Sequence, residues 1–242
     1  MGTSAGYDAP PAWGAQKGQI TRTGNVPITE AKAKSYLSDH ISNNGGSSRI
    51  ASGGGVLGGG GGGRSAQSTI GDFAGFVGQV ARDGLNEALR QSNLVDLVGG
   101  SPGDIVLGLV GLFGHDDSSQ DAVDARSALS RLMDELLEDA ETSEDVETVF
   151  ADIANVETLT ELTMKFFAYH LYEQFCRVHF EHLVQQHGDK VAESFLGSIS
   201  ECIESLVRNR SLDIDVAQVD WETEWAGFSD EIMRMTLDVF NK

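Results

Sequence analysis

One predicted helix of this sequence carries a run of side chains that can bind metal. Five residues follow one another at three-residue steps: His170, Glu173, Cys176, His179 and His182. Each type can ligate zinc or iron, but successive steps of three drift by about 60° around a helix, so only adjacent pairs share a face. A helical di-iron site would also need Glu-x-x-His on two helices. We therefore predict no metal site and interpret these residues as scattered core and surface positions.

A second pattern is close to a phosphate-binding loop. Residues Gly58 to Ser65 read G-x-x-x-x-G-R-S, whereas the loop that holds phosphates requires a lysine in place of the arginine and a buried strand ahead of it. The preceding residues 47–52 are polar and too weakly patterned to form that strand. Because a six-glycine run meets the spacing by composition alone, we do not predict nucleotide binding here.

Carboxylates crowd residues 134–147, without the D-x-D-x-D-G order of a calcium loop. A solvated acidic face is the simpler interpretation, and mimicry of nucleic acid is the alternative. Ser, His, Asp and Cys residues form no recognisable nucleophilic motif. Cys176 and Cys202 lie inside apolar helical patterns that are typical of buried thiols. We therefore predict no catalytic residues, and an enzyme with an unrecognised site is the remaining alternative.

The start of the chain offers a different chemistry, that of an α-amine. Glycine at position 2 usually lets Met1 be removed, which leaves Gly2 as an unhindered nucleophile. The reference pKa of an α-amine is about 7.7 to 8.0, against about 10.4 for lysine, so far more of it is unprotonated at neutral pH. Myristoylation favours Ser or Thr at position 6, where this chain has Gly6. Gly2 is therefore a candidate for selective acylation, and an ordinary chain end is the alternative.

Residues 1–66 form the segment that carries this amine. Sixteen of the 29 glycines precede residue 65, and Gly58 to Gly63 are consecutive. Such a composition buries too little apolar surface to offset the entropy of ordering the chain. We predict a flexible glycine-rich N-terminal arm over residues 1–66, with one short helix from Thr29, as its N-cap, to about Ser42.

Residues 67–242 are predicted to form an acidic, all-helical domain. Apolar residues recur at helical spacing after Thr69 and Ser143, and over residues 119–141, 157–187, 189–209 and 229–240. Ser101-Pro102-Gly103-Asp104 is a helix start, and the apolar helix that follows is predicted to lie in the core because it is too short to span a bilayer. Residues 212–216 alternate like a strand, but one strand cannot form a sheet. The predicted fold class is all-α: a helical domain preceded by the flexible arm.

Charge separates the same two parts of the chain. Residues 1–70 hold six Lys/Arg and three Asp/Glu, which gives a net charge of +3. Residues 71–242 hold eleven Lys/Arg and thirty-four Asp/Glu, which gives a net charge of −23. A body of that sign repels phosphate backbones, so we predict no direct nucleic-acid binding. The first thirty residues lack the basic and apolar regions of a secretory signal. We therefore predict a cytoplasmic protein that does not bind membranes.

Several features together resemble the QatB proteins of the bacterial Qat anti-phage defence systems. They are the opening Met1-Gly2-Thr3-Ser4, Tyr7, Pro10-Pro11, the glycine-rich arm and the acidic helical body entered near residues 101–104. The resemblance covers the whole architecture, and its sharp motif is the start of the chain. Qat systems also encode an ATPase, a TatD-like nuclease and QatC, which is similar to the enzyme that converts 7-carboxy-7-deazaguanine to a nitrile in queuosine biosynthesis.

The resemblance implies a non-catalytic protein that serves as a substrate of QatC, a QueC-like enzyme. QatC would use ATP to adenylate the carboxylate of 7-carboxy-7-deazaguanine, and the amine of Gly2 would then form an amide with the base. Thr3 and Ser4 would be recognised beside it. This chain itself would hold no cofactor, and the Qat ATPase and nuclease would be further partners.

The alternative is an acidic scaffold or interaction protein of a defence complex that acts without modification. In that case the arm is only a linker. Deleting residues 2–60 would then leave activity intact.

Overall fold

The computed structural model describes residues 11–26, 28–52, 63–114, 119–211 and 225–240. Within these ranges the chain forms eleven α-helices and one 3-10 turn, Val95–Leu97, without a β-strand, so the predicted all-α fold class is confirmed. The helices are α1 (Pro11–Thr23), α2 (Glu30–Asn43), α3 (Ser47–Ala51), α4 (Arg64–Asp83), α5 (Leu85–Gln91), α6 (Pro102–Phe113), α7 (Gln120–Leu136), α8 (Ser143–Ile153), α9 (Val156–His187), α10 (Asp189–Ser211) and α11 (Trp225–Asp238).

The long helix α9 is the centre of the fold. It has 32 residues, and its buried side chains occur along its length from Leu159 to Leu183. Helices α10, α7, α11 and α1 all pack against it, which agrees with a helix that is apolar on most sides. The φ of +83° at Gly188 ends α9 in a conformation that favours glycine, and α10 then returns alongside α9.

Capping residues fix where α6 and α8 begin, and the cap of α6 is the one that the sequence predicted. The Oγ atom of Ser101 accepts the N–H of Asp104 at 3.2 Å, and Pro102 is the first residue of α6. Helix α8 starts with a capping box, in which the side chains of Thr142 and Asp145 each accept the other's backbone N–H. The other helices predicted for the body are present, with ends shifted by a few residues.

Helix α4 begins earlier than the sequence predicted. Thr69 was expected to start it, but Thr69 is 1% exposed and its Oγ1 donates to the carbonyl oxygen of Phe113 at 3.0 Å. The helix instead begins at Arg64, after Gly63 in the left-handed conformation with a φ of +85°. It therefore runs without a break through residues 66 and 67, where the helical domain was expected to start.

Three helices lie in the stretch that the sequence assigned to the glycine-rich arm. The helix predicted after Thr29 is confirmed as α2, whereas α1 and α3 were not predicted. The expectation of one short helix is therefore wrong for residues 11–52. Trp13, Ile20, Tyr36 and Ile50 are each at most 2% exposed, and burial of such side chains offsets the entropy of ordering the segment. Residues 1–10 and 53–62 lie outside the described residues, so the flexibility of the arm stays a prediction there.

Helix α6 was predicted to lie in the core and does so on one face only. Ile105 and Leu109 are fully buried, but Leu107 is 73% exposed. In the part of the chain that the structure describes, neither α6 nor any other helix is long and apolar enough to cross a membrane.

The end of the chain agrees with the predicted last helix, which is α11 with Ile232 buried. The predicted extended stretch at residues 212–216 lies outside the described residues.

Candidate functional site

The predicted acceptor Gly2 and its neighbours Thr3 and Ser4 lie outside the described residues. Helix α1, which begins at Pro11, is the first element that the structure defines after them. The attachment of α1 to the body fixes the point on the body to which the first ten residues are joined. The candidate site therefore consists of α1 and the surfaces of α2 and α9 on which it packs.

A buried amide fixes α1 against α2. Gln16 is 3% exposed, and its Nε2 atom donates to the carbonyl oxygen of Tyr36 at 2.9 Å. Its Oε1 atom accepts a hydrogen bond from Nδ2 of Asn43 at 2.8 Å. Further along α1, the hydroxyl of Thr23 hydrogen-bonds the hydroxyl of Tyr36. Because an unpaired buried amide is costly, these contacts specify both the rotation and the position of α1.

The second half of α1 is bonded to the end of α9. The hydroxyl of Thr21 donates to the carbonyl oxygen of Lys17 at 2.8 Å. Since that donates the hydroxyl proton, Oγ1 of Thr21 accepts a hydrogen bond from Nε2 of His182 at 2.7 Å. Nε2 of His187 donates to the carbonyl oxygen of Thr21, also at 2.7 Å. Both rings therefore carry a proton on Nε2.

A cluster of four rings packs at the junction of α1, α2 and α9: Trp13, His40, Phe175 and His179. The ring centroids of Trp13 and His40 are 5.2 Å apart, and those of Phe175 and His179 are 4.4 Å apart. Both histidines are fully buried. Within the described residues, their ring nitrogens and Nε1 of Trp13 have no hydrogen-bond partner. These groups therefore contribute to the junction by packing rather than by hydrogen bonding.

Burial sets the charge state of the two clustered histidines. It lowers the pKa of His40 to about 3, with the positive charge of Arg177 acting in the same direction. It lowers the pKa of His179 to about 2, and the nearby His40 and Lys17 add to the effect. Both rings are therefore neutral at neutral pH, because the interior does not solvate the charged form.

The residues that follow one another at three-residue steps from His170 to His182 take part in separate contacts. His179 and His182 contact α1, as described, whereas Nε2 of His170 lies 3.1 Å from Oδ1 of Asp121. Burial raises the pKa of the Cys176 thiol to about 12, so the thiol stays protonated and poorly nucleophilic. In the described ranges, no group of three or more His, Cys, Asp and Glu side chains is arranged to hold a metal ion.

The end of the glycine-rich sequence binds a carboxylate of the protein itself. Asp121 accepts the backbone N–H of Gly63 at 3.0 Å and that of Ser65 at 2.9 Å. These N–H groups belong to the start of α4, the position at which a helix binds a phosphate. Burial alone would raise the pKa of Asp121, but His170 and the two N–H groups hold it below its usual value. An internal anion thus binds the two N–H groups described at the end of the sequence that was compared with a phosphate-binding loop.

Carboxylates of the acidic stretch reach different helices rather than a common centre. Glu135 accepts a hydrogen bond from Lys165 and another from the hydroxyl of Tyr169, the latter at 2.6 Å. Oε2 of Glu147 accepts the N–H of Leu85, the first residue of α5, at 3.0 Å. These carboxylates therefore stabilise helix starts and helix contacts.

A cleft of about 970 Å³ lies between α4, α9 and α11. Gly71, Gly75 and Gly78 form its wall on α4, and Arg64 and Arg82 lie on the same wall. No histidine or cysteine lines it among the described residues. Its described lining therefore offers no histidine base of the kind that activates the nucleophile of an acyl-transfer site.

The sequence reasoning missed the attachment of α1. Trp13, Gln16 and Ile20 lie three and four residues apart, which is the spacing of one helix face. Pro11 precedes them at the position that proline favours in a helix start. This spacing predicts a helix, but the high glycine content of the surrounding segment favoured the prediction of a flexible arm.

The described chain is thus an acidic, all-α protein whose histidines and cysteines serve packing and helix contacts. Residues 62–240 match the sequence model of the family described as Qat anti-phage system associated protein QatB. The match spans α4 to α11 and most of the chain, so the chain belongs to the QatB family and is a component of an anti-phage defence system. Gly2 and helices α1 to α3 precede the matched region. Comparisons with curated proteins and with solved structures found no match.

Proposed function

We propose that this protein is a non-catalytic component of its defence system, conjugated at the α-amine of Gly2 to a 7-deazaguanine base. A QueC-like partner enzyme, QatC, uses ATP to convert the carboxylate of 7-carboxy-7-deazaguanine to an acyl adenylate, with release of pyrophosphate. The amine of Gly2 attacks the acyl carbon, a C–N bond forms, the bond to AMP breaks and the amine loses a proton. Thr3 and Ser4 are the residues that the enzyme recognises beside the acceptor.

The attachment of α1 is the observation that carries this proposal. Gln16 and Trp13 hold the first turns of the helix against the body, and Met1 to Pro10 precede it. The nine residues from Gly2 to Pro10 reach about 30 Å when they are extended. An amine at that distance can enter a narrow active site of another protein while the helical body stays outside.

The chemistry of the α-amine supports Gly2 as the acceptor. Its reference pKa is about 2 to 3 units below that of lysine, so at neutral pH a much larger fraction is unprotonated and nucleophilic. Glycine also adds no side chain beside the reacting nitrogen. The thiols of the half-buried Cys176 and the buried Cys202 are poor competitors, since burial raises the pKa of Cys176 to about 12 and that of Cys202 to about 11.

The family supports the expected partners. A protein associated with the Qat system acts beside the other components of that system, and QatC is the component whose chemistry requires an amine acceptor. The Qat ATPase and the TatD-like nuclease would then act with the conjugated protein.

A scaffold that acts without modification is the second candidate, and the acidic body of net charge −23 is the observation that favours it. From the sequence alone, deletion of residues 2–60 would be expected to separate the two candidates. Because α1 to α3 bury Trp13, Tyr36 and Ile50, that deletion would remove part of the core. Deletion of residues 2–10 is the suitable test, since it leaves the described helices intact.

Intact mass measurement and N-terminal peptide mapping test the proposal directly. The protein is expressed with and without the QatC-like gene in cells that make deazaguanine precursors. We expect a mass increase confined to the peptide that begins at Gly2, and only when the QatC-like gene is present. The substitution Gly2→Pro removes the primary amine and should abolish both the adduct and phage protection.

The matched control is Gly6→Pro, which makes the same change four residues away and should keep the adduct. Full protection by the Gly2→Pro protein, or by the protein lacking residues 2–10, would show that conjugation is not the function. An unmodified N-terminus during active defence would favour the scaffold.

A further inference from the structure

The cleft between α4, α9 and α11 is long and partly apolar. Its wall on α4 extends from Arg64 to Arg82, and this stretch of helix is about 27 Å long at 1.5 Å per residue. Ala74 and Leu159 belong to its lining and are 9% and 8% exposed. A cleft of this length fits an extended stretch of polypeptide better than it fits a compact small molecule.

Helix α11 joins the chain to one end of this cleft. Met233 lies against Gly63, just before α4 begins. One turn earlier in α11, Oδ1 of Asp230 accepts a hydrogen bond from Nε2 of Gln67 at 2.6 Å, and Asp230 lines the cleft. Moving backward along α11 therefore corresponds to moving forward along α4. The residues that precede Trp225 are thus joined to the body at the cleft.

Helix α10 brings the chain toward the same cleft from another direction. Arg131 binds Glu204 of α10 at 2.6 Å, and its guanidinium stacks on the ring of Tyr169 of α9 at 4.2 Å. Glu204 and Tyr169 therefore lie at about the same level. Ser211, the last residue of α10, is about 10 Å further along that helix. Because α10 returns alongside α9, this step leads toward the first turn of α9, where Leu159 lines the cleft.

Residues 212–224 connect these two helix ends and lie outside the described residues. In their sequence Leu212, Ile214 and Val216 alternate with aspartates. In an extended chain such alternate side chains point to the same side, so this stretch has one apolar and one acidic side. Thirteen residues span about 43 Å when extended, which is more than the length of the cleft.

We infer that residues 212–224 bind along this cleft, with their apolar side toward Ala74 and Leu159. The path of the chain supports this assignment, because α10 points toward the cleft and α11 begins at it. The contact attaches the connection between the two helices to α4. It is independent of conjugation at Gly2.

Charge is compatible with this occupant. The segment carries five carboxylates and no lysine or arginine. The described lining of the cleft holds two arginines and two aspartates, which are Arg64, Arg82, Asp72 and Asp230. A lining of balanced charge repels an acidic segment less than the remaining surface of a protein with a net charge of −20 does.

Photo-cross-linking in the full chain identifies what binds in the cleft. A benzophenone-bearing amino acid replaces Gly75, which lines the cleft and at which a Cβ atom would meet no described atom within 4 Å. We expect cross-links to residues 212–224 within one molecule, located by peptide mapping. The same replacement at Gly111 of α6, where a Cβ atom also has open space, is the matched control and should give no such cross-link.

Other cross-linking results would overturn the proposal. Cross-links from position 75 to residues 53–62, which also end beside α4, would assign the cleft to the glycine-rich segment instead. Cross-links to a second molecule would assign it to another copy of the protein.

Hydrogen exchange followed by mass spectrometry measures the same contact without a cross-linker. Gly75→Leu places a large side chain in the cleft, and leucine favours a helix more than glycine does. The variant should raise the exchange rate of peptides from residues 212–224 at least about tenfold, without lowering the unfolding temperature. Gly111→Leu is the matched control and should leave that rate unchanged.

A second variant separates the contact from the folding of α4. Val216→Asp alters only the connecting segment, so it should raise exchange in residues 212–224 even if Gly75→Leu destabilises the whole protein. Exchange of residues 212–224 at the rate of an unfolded chain in the wild-type protein would overturn the proposal. An unchanged exchange rate in both variants would overturn it as well.

Discussion

The buried pair His40 and His179 predicts a steep loss of stability in mild acid. In the unfolded chain each imidazole titrates near its ordinary pKa of about 6.5. In the folded protein burial lowers the pKa of His40 to about 3 and that of His179 to about 2. As pH falls below about 6.5 the unfolded state binds protons that the folded state does not, so stability decreases with falling pH until the folded pKa values are reached.

The magnitude follows from the two pKa shifts. Well below pH 6.5, each histidine lowers the free energy of unfolding by about 1.4 kcal/mol per pH unit. Between about pH 8 and about pH 5, each contributes about 2 kcal/mol, and the pair about 4 kcal/mol. This is a large part of the roughly 5–15 kcal/mol that stabilises a typical domain. Most carboxylates titrate below this pH window, so their effect on stability is separable from that of the two histidines.

Urea unfolding followed by circular dichroism at several pH values measures this loss. Replacing His179 with phenylalanine removes one buried imidazole and should halve the dependence of the unfolding free energy on pH. Trp13→Phe is the control, since it alters the same cluster without removing a titratable group, and it should lower stability at every pH with an unchanged slope. A wild-type loss below about 1 kcal/mol, or an unchanged slope for His179→Phe, would refute the buried neutral pair.

Three further predictions concern other contacts. Asp121→Ala removes the carboxylate that accepts two N–H groups at the start of α4 and should lower the free energy of unfolding by about 3 kcal/mol, measured by urea unfolding; a loss no greater than that of an exposed Asp104→Ala would contradict this role. Thr142→Ala removes one half of the capping box of α8 and should cost about 1 kcal/mol, whereas Thr142→Ser should cost little; equal losses would argue against capping. Cys176 and Cys202, whose pKa values are raised by burial to about 12 and about 11, should resist a thiol reagent until urea unfolds the chain, and rapid labelling of the native protein would contradict their burial.

Local signals in the sequence predicted most of the body. Ser101, Pro102 and Asp104 start α6 because a capping hydroxyl, a proline and a carboxylate satisfy the first turn without help from the rest of the fold. The spacing of apolar residues from 157 to 187 is likewise sufficient to predict α9. Such elements depend on residues within one turn or on one periodic face.

Contacts between distant residues were not predictable in the same way. The start of α4 depends on Asp121, which lies 56 residues beyond Ser65, so local capping signals pointed to Thr69 instead. The attachment of α1 depends on Tyr36 and on the far end of α9. The composition of the N-terminal segment therefore predicted an unpacked arm where three helices are in fact packed.

On the proposal that Gly2 is conjugated, the position of α1 limits where the conjugating enzyme can act. If Gly2 is the acceptor, the nine residues from Gly2 to Pro10 reach at most about 30 Å, so the modifying enzyme must place its active site within that distance of the start of α1. The ring cluster of Trp13, His40 and His179 fixes this origin on the body. A partner that binds elsewhere on the acidic surface would be out of reach, unless it also extended toward α1. If Gly2 is the acceptor, the attachment of α1 to the body therefore restricts which surface of this protein the enzyme can dock on.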